Sequence, residues 1–198
     1  MNHGVHVAFF LLLSSFVASL SGCKKDDQTT APPSTTDQMI PLNVGNRWIF
    51  SKNATWSTGI ETVSVSHSFD AGGITAYGFT GDDDFYFNYD QVNEGMFYRN
   101  GSLWGRKAGT DGVFLKQSIV SPDSYAVNCW NTARIKILST SEMVAVPAGT
   151  FDCVKFNLYS DYYWTYWVSK NVGVVKVHYR TVQGADAGDA ILQSYSLR

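Results

Sequence analysis

Charge of either sign is scarce in this chain, and what there is nearly cancels. Fifteen Lys and Arg stand against 17 Asp and Glu, a formal net charge of −2. A nucleic-acid binder needs a basic face to meet phosphate, and a peripheral membrane protein needs a polybasic patch. The sequence offers neither, so no nucleic acid is expected as a partner. Cysteine is limited to 3 residues, Cys23, Cys129 and Cys153, and their spacing suits no zinc site. No cofactor is expected. Helical periodicity is missing too: no window sustains a 3.6-residue repeat for more than a turn or two. Beyond residue 38 only His67 and His178 could act as imidazole bases, and no Gly-x-Ser-x-Gly elbow marks a nucleophile for either. No close carboxylate pair suggests glycoside chemistry. The apolar run Val7–Val17 is too short to cross a bilayer, which takes about 20 residues.

That run nevertheless has a reading. An apolar stretch closed by small residues is a signal peptide, here residues 1–22, removed in the mature protein. The first six residues depart from the usual basic start, with His3 and His6 but neither Lys nor Arg. Leu20-Ser21-Gly22-Cys23 resembles the lipobox of bacterial lipoproteins. The resemblance implies that Cys23 becomes the new N-terminus and carries acyl chains such as palmitate, holding the protein to its membrane. One chain alone attaches marginally, at roughly 0.8 kcal/mol per buried CH₂, so more than one is needed. A plain secretory signal followed by a chance cysteine is the alternative.

Lys24-Lys25-Asp26-Asp27 resembles the basic-then-acidic signal that sends lipoproteins of Bacteroidota-type bacteria to the outer face of the outer membrane. A charged start to a linker is the blander account. Residues 23–38 then form a tether rich in Thr, Ser and Pro, and 39–198 a single domain. The location implied is the cell envelope, lipid-anchored in the outer membrane and surface-exposed.

Within the domain, period 2 dominates. Val63, Val65, His67 and Phe69 share one face, so His67 is expected in the core. Phe85, Phe87 and Tyr89 share another face, as do Val154, Phe156 and Leu158, and then Val175, Val177 and Tyr179. His178 falls on the polar side with Lys176 and Arg180. Asn100-Gly101 between two such runs is a strong hairpin signal. Asp82-Asp83-Asp84 lacks the ligand spacing of a calcium loop and reads as a solvated turn. The expected fold is all-β: a strongly curved antiparallel sheet of about nine to eleven strands in meander order, with little helix.

Three segments carry a family resemblance: Pro41–Phe50 (PLNVGNRWIF), Val146–Lys155 (VPAGTFDCVK) and Tyr166–Lys176 (YWVSKNVGVVK). Their order resembles a group of bacterial secreted and lipid-anchored proteins related to the lipoprotein-carrier (LolA-like) half-barrels. The resemblance implies a curved antiparallel sheet with an apolar concave face. Its motifs are structural turns and strand starts, so it brings no catalytic residue.

The candidate site is aromatic. Alternation puts Tyr162, Trp164 and Tyr166 on one face of a strand and Tyr163 and Trp167 on the other. With Phe85, Phe87 and Tyr89, the first row would line a concavity for an apolar or amphiphilic ligand in a non-catalytic binding module. Alternatively these rings are core, and the domain is an interaction protein of an envelope complex with a filled interior. An enzyme acting on envelope glycans ranks third. With Cys23 taken by lipid, Cys129 and Cys153 could form a disulfide worth about 3 kcal/mol. Two buried free thiols are the other arrangement, and the sequence leaves both open.

Overall fold

The computed structural model describes residues 38–81, 93–129, 133–160 and 163–198. Among these residues the chain forms twelve strands and no helix. They are β1 Arg47–Ala54, β2 Ser57–Asp70, β3 Thr75–Thr80, β4 Gly95–Arg99, β5 Ser102–Lys107 and β6 Thr110–Leu115, followed by β7 Asp123–Ala126, β8 Arg134–Val146, β9 Gly149–Tyr159, β10 Tyr163–Ser169, β11 Gly173–Arg180 and β12 Asp186–Ser196. All belong to one antiparallel sheet in the order β6-β5-β4-β3-β2-β1-β12-β11-β10-β9-β8-β7. The curved meander is therefore as expected, and the strand count is slightly higher. The shortest strand, β7, reads Asp-Ser-Tyr-Ala and offers no apolar alternation to reveal it.

The first and last strands meet in the middle of the sheet, from Arg47 opposite Ser196 to Ala54 opposite Gly188. Its two edges, β6 and β7, are consecutive in the chain. The sheet curls until side chains join these edges. Tyr125 Oη donates to the Phe114 carbonyl at 2.9 Å, and Lys116 Nζ lies 2.8 Å from Asp123. Such cover hides edge groups that would otherwise invite pairing with another chain. Inside the curl, the Phe114 ring meets Phe156 edge-on at 5.7 Å.

The inner face is the main core. Trp48 and Phe50 of β1, Val63 and Val65 of β2, Phe156 of β9, Tyr166 of β10, Val177 and Tyr179 of β11 and Leu192 of β12 are all buried in one cluster. Burying a side chain of this size contributes about 1.5–3 kcal/mol. A smaller core lies outside the sheet, where Ala71, Ala76 and Phe97 are covered by Phe69, Ile74 and Trp104. Arg99 caps it, its guanidinium 5.0 Å from the Phe97 ring and 4.9 Å from the Trp104 ring.

One expectation fails here. A bulge between Val65 and His67 inserts Ser66 and reverses the side-chain parity of β2. His67 and Phe69 therefore face out while Val63 and Val65 face in. His67 is exposed, its ring lying over Gly78, where a Cβ would strike it. It is a surface histidine, not a core one.

The lead-in to β1 is fixed at one end of the sheet. Ile40 and Leu42 are buried, and Tyr98 Oη both accepts from the Ile40 N–H and donates to the Ile40 carbonyl. Burial pushes the Tyr98 phenol far above its ordinary range. Asn171, in the β10–β11 turn, receives Gln38: its backbone N–H donates to the Gln38 carbonyl at 2.6 Å, and its Oδ1 accepts from the Gln38 N–H at 3.2 Å.

Candidate functional site

Of the residues expected to line a site, Trp164 and Tyr166 are described. Phe85, Phe87, Tyr89 and Tyr162 lie outside the described residues, as do Cys23, Lys24, Lys25, Asp26, Asp27 and the Asp82–Asp84 turn. Trp164 and Tyr166 both point inward, as alternation predicts. Tyr166 is fully buried, stacked on Phe156 at 5.3 Å with the ring planes 9° apart. Trp164 is half-buried and lies 5.9 Å from Tyr179, which Trp56 meets edge-on at 5.1 Å. The aromatic contacts thus run from the outer rim at Trp56 through Tyr179, Trp164, Tyr166 and Phe156 to Phe114. Lys52 joins this row at 4 % exposure, 3.3 Å from Glu61 and over the Tyr179 ring.

On the outer face of the same strands the residues are polar and aromatic. Trp167 lies between two cations, Lys155 at 4.8 Å and Lys176 at 5.3 Å, and donates from Nε1 to Glu142 at 2.8 Å. That hydrogen bond, with Lys155 beside it, holds the Glu142 carboxyl below its ordinary range against the opposing pull of burial. Next come His178, whose Nδ1 is 2.9 Å from Asp189, and Arg180, whose Nε donates weakly to His178 at 3.4 Å.

Beyond Arg180 a groove of about 410 Å³ opens, lined by Asn157, Tyr159, Tyr163, Thr165, Arg180 and Gln183 together with the Val182 and Gly184 positions of the β11–β12 loop. Its floor is ordered by the protein itself. Thr165 Oγ1 donates to Asn157 Oδ1 at 2.8 Å, and Asn157 Nδ2 donates to Tyr159 Oη at 2.9 Å. The Tyr159 and Tyr163 rings stand perpendicular, 5.0 Å apart. The aromatic row expected from the sequence occupies the inward alternates of this window, whereas the groove is built from the outward ones. The available signal was the same alternation read from the other side, where Asn157, Tyr159, Tyr163 and Thr165 fall together. What alternation within one strand could not show is that Arg180 and Gln183 complete the wall: Arg180 arrives by pairing opposite Tyr163 across β10 and β11, and Gln183 by the β11–β12 loop.

Cys129 and Cys153 are both free and buried. Cys129 belongs to the main core, where a Cβ on Gly112 would press against its backbone nitrogen. Cys153 sits on β9 opposite Ser169 and Glu142. Burial pushes each thiol up to about 12. At about pH 8 only on the order of one thiol in 10⁴ would then be ionised, and the thiolate is the reactive form. Both cysteines should stay unlabelled by maleimide in the folded protein and react fully in denaturant, as peptide mapping would read. Labelling of either in the folded state would contradict their burial.

The described residues thus make up an all-β protein of one curved antiparallel sheet, with a packed inner face and a polar groove outside. No protein-family model matches the chain, and no curated protein matches it in sequence. Solved structures do share the fold. A "putative lipoprotein" from Parabacteroides distasonis ATCC 8503 is 13 % identical with a TM-score of 0.50, the match covering 81 % of this chain and 99 % of that one. A "putative exported protein with YmcC-like fold" from Bacteroides fragilis NCTC 9343 is 12 % identical with a TM-score of 0.50, over 81 % of this chain and 100 % of that one. At these identities the likeness is one of fold.

Proposed function

We propose that the chain is an exported envelope lipoprotein whose β domain is a non-catalytic binding module, acting through its outer surface over an interior occupied by its own side chains. The observation that carries this reading is the contrast between the two faces of β9–β11. Phe156, Tyr166, Val177 and Tyr179 are all at 0 % exposure inside. On the opposite face, Asn157, Tyr163 and Arg180 line an open groove. Support for the anchor comes from Leu20-Ser21-Gly22-Cys23 after an apolar run, and from two fold neighbours described as a "putative lipoprotein" and a "putative exported protein". Lys24 to Asp27 would then direct the protein to the outer face of the outer membrane. Kinship with the lipoprotein-carrier half-barrels is part of the same proposal, supported by the single curved sheet and its apolar inner face.

A second reading keeps an amphiphilic ligand in the concavity. It rests on Trp164, half-buried in an aromatic row that reaches the surface at Trp56, which is 47 % exposed.

Expression of the full chain in a Bacteroidota host with labelled palmitate tests the anchor. Wild type should carry label and be cleaved by protease added to intact cells, and Cys23→Ala should lose the label. An unlabelled wild type would remove the anchor from the proposal. Native mass spectrometry of the purified lipoprotein separates the two ligand readings. A mass accounted for by chain and anchor favours the outer surface, whereas a stoichiometric lipid adduct favours the concavity.

A further inference from the structure

We propose that the groove at the Tyr163–Arg180 end of β10 and β11 is a saccharide-binding site, selective for a sugar that carries an acidic group. This rests on the binding-module reading and names its ligand. Sugar rings are amphipathic: their C–H faces pack on aromatic rings, and their hydroxyls demand hydrogen-bonding partners whose direction is already set. The groove meets both demands. Tyr163 is 39 % exposed, a large ring offered to solvent and braced edge-on by Tyr159. The chain of hydrogen bonds from Thr165 through Asn157 to Tyr159 fixes the floor before any ligand arrives, which lowers the ordering cost of binding. Tyr159 Oη accepts in that chain and keeps its own proton to donate.

The selectivity comes from Arg180. Its side chain is exposed at the rim, and among the described residues its one polar contact is the long Nε hydrogen bond to His178. The outer nitrogens of its guanidinium remain for a planar anion, and a carboxylate takes two parallel N–H bonds from such a fork. The volume of about 410 Å³ lies within the range of small-ligand sites, about 300–1,000 Å³.

Gln38, where the described chain begins, is bound at the Asn171 turn, and the groove lies at the other end of β10, a strand of 7 residues, hence about 20 Å away along the sheet.

The test uses the full-length lipoprotein in nanodiscs, titrated with digalacturonate and, in parallel, with neutral maltose, and followed by calorimetry. Digalacturonate should bind saturably and maltose at least tenfold more weakly. Arg180→Met should weaken digalacturonate at least tenfold and leave maltose unchanged. Tyr163→Ala should weaken both sugars, and Tyr163→Phe, which keeps the ring, should restore them. Each variant should unfold close to the wild-type urea midpoint, since both side chains are on the surface. Absence of saturable sugar binding would overturn the proposal, as would binding that ignores both substitutions. Binding of poly-glutamate without digalacturonate would overturn it in favour of an acidic peptide. None of these outcomes touches palmitate labelling at Cys23, so failure of the groove and failure of the anchor are read separately.

Discussion

Tyr166→Ala should remove about 3–5 kcal/mol of folding stability, the usual cost of truncating a buried aromatic side chain. The domain as a whole is held by about 5–15 kcal/mol, so the variant stands near the limit of folding. The size of the effect follows from position. Tyr166 is at 0 % exposure, opposite Phe156 on β9 and Val177 on β11. It stacks on Phe156, which in turn meets Phe114 across the curl of the sheet. Its removal opens a cavity between the two halves of the inner face. The urea midpoint should fall with little change in slope, the mark of lost stability rather than altered compactness. Tyr163→Ala is the matched control, three residues away on the outer face, and should cost less than about 1 kcal/mol. If Tyr166→Ala left the midpoint unchanged, the inner row would be free to hold a ligand, and the concavity reading would take precedence.

Why the aromatic window could be read only in part is a matter of what period 2 encodes. Alternation correctly separated Trp164 and Tyr166 from Tyr163 and Trp167, because a strand without a bulge must send neighbours to opposite faces. It did not say which face was covered, since both carry rings and both would be apolar on a hydropathy scale. Where a bulge intervenes the rule fails outright, as with His67, and nothing in Val-Ser-His-Ser marks Ser66 as the inserted residue. The turns were more legible. Asn100 and Gly101, at φ of 50° and 72°, form the expected tight hairpin between β4 and β5. The pairing of β1 with β12 was illegible for another reason. It joins residues about as far apart in the chain as the domain allows, and no local pattern records a contact of that kind.

That long-range pairing is also the most exposed to a single added methyl group. Gly188→Ala should cost at least about 3 kcal/mol, although the side chain gained is the smallest there is. Two effects combine. Gly188 has φ of +110°, outside the regions open to L residues, where occupation costs about 1–3 kcal/mol. A Cβ there would also strike the carbonyl oxygen of Asn53 and come within 2.8 Å of Ala54 Cα. Those atoms are backbone of β1, so relief requires β1 and β12 to part at the Ala54–Gly188 end of their register. Gly184→Ala separates the two effects. Gly184 also has positive φ, +82°, but a Cβ there meets nothing within 4 Å, so it should pay backbone strain alone, about 1 kcal/mol. At about 2–4 °C per kcal/mol for a domain of this size, melting should drop by about 6–12 °C for Gly188→Ala and by about 2–4 °C for Gly184→Ala. Equal shifts would mean that conformational strain accounts for both, and that β1 and β12 have room to spare at the Ala54–Gly188 end of their pairing.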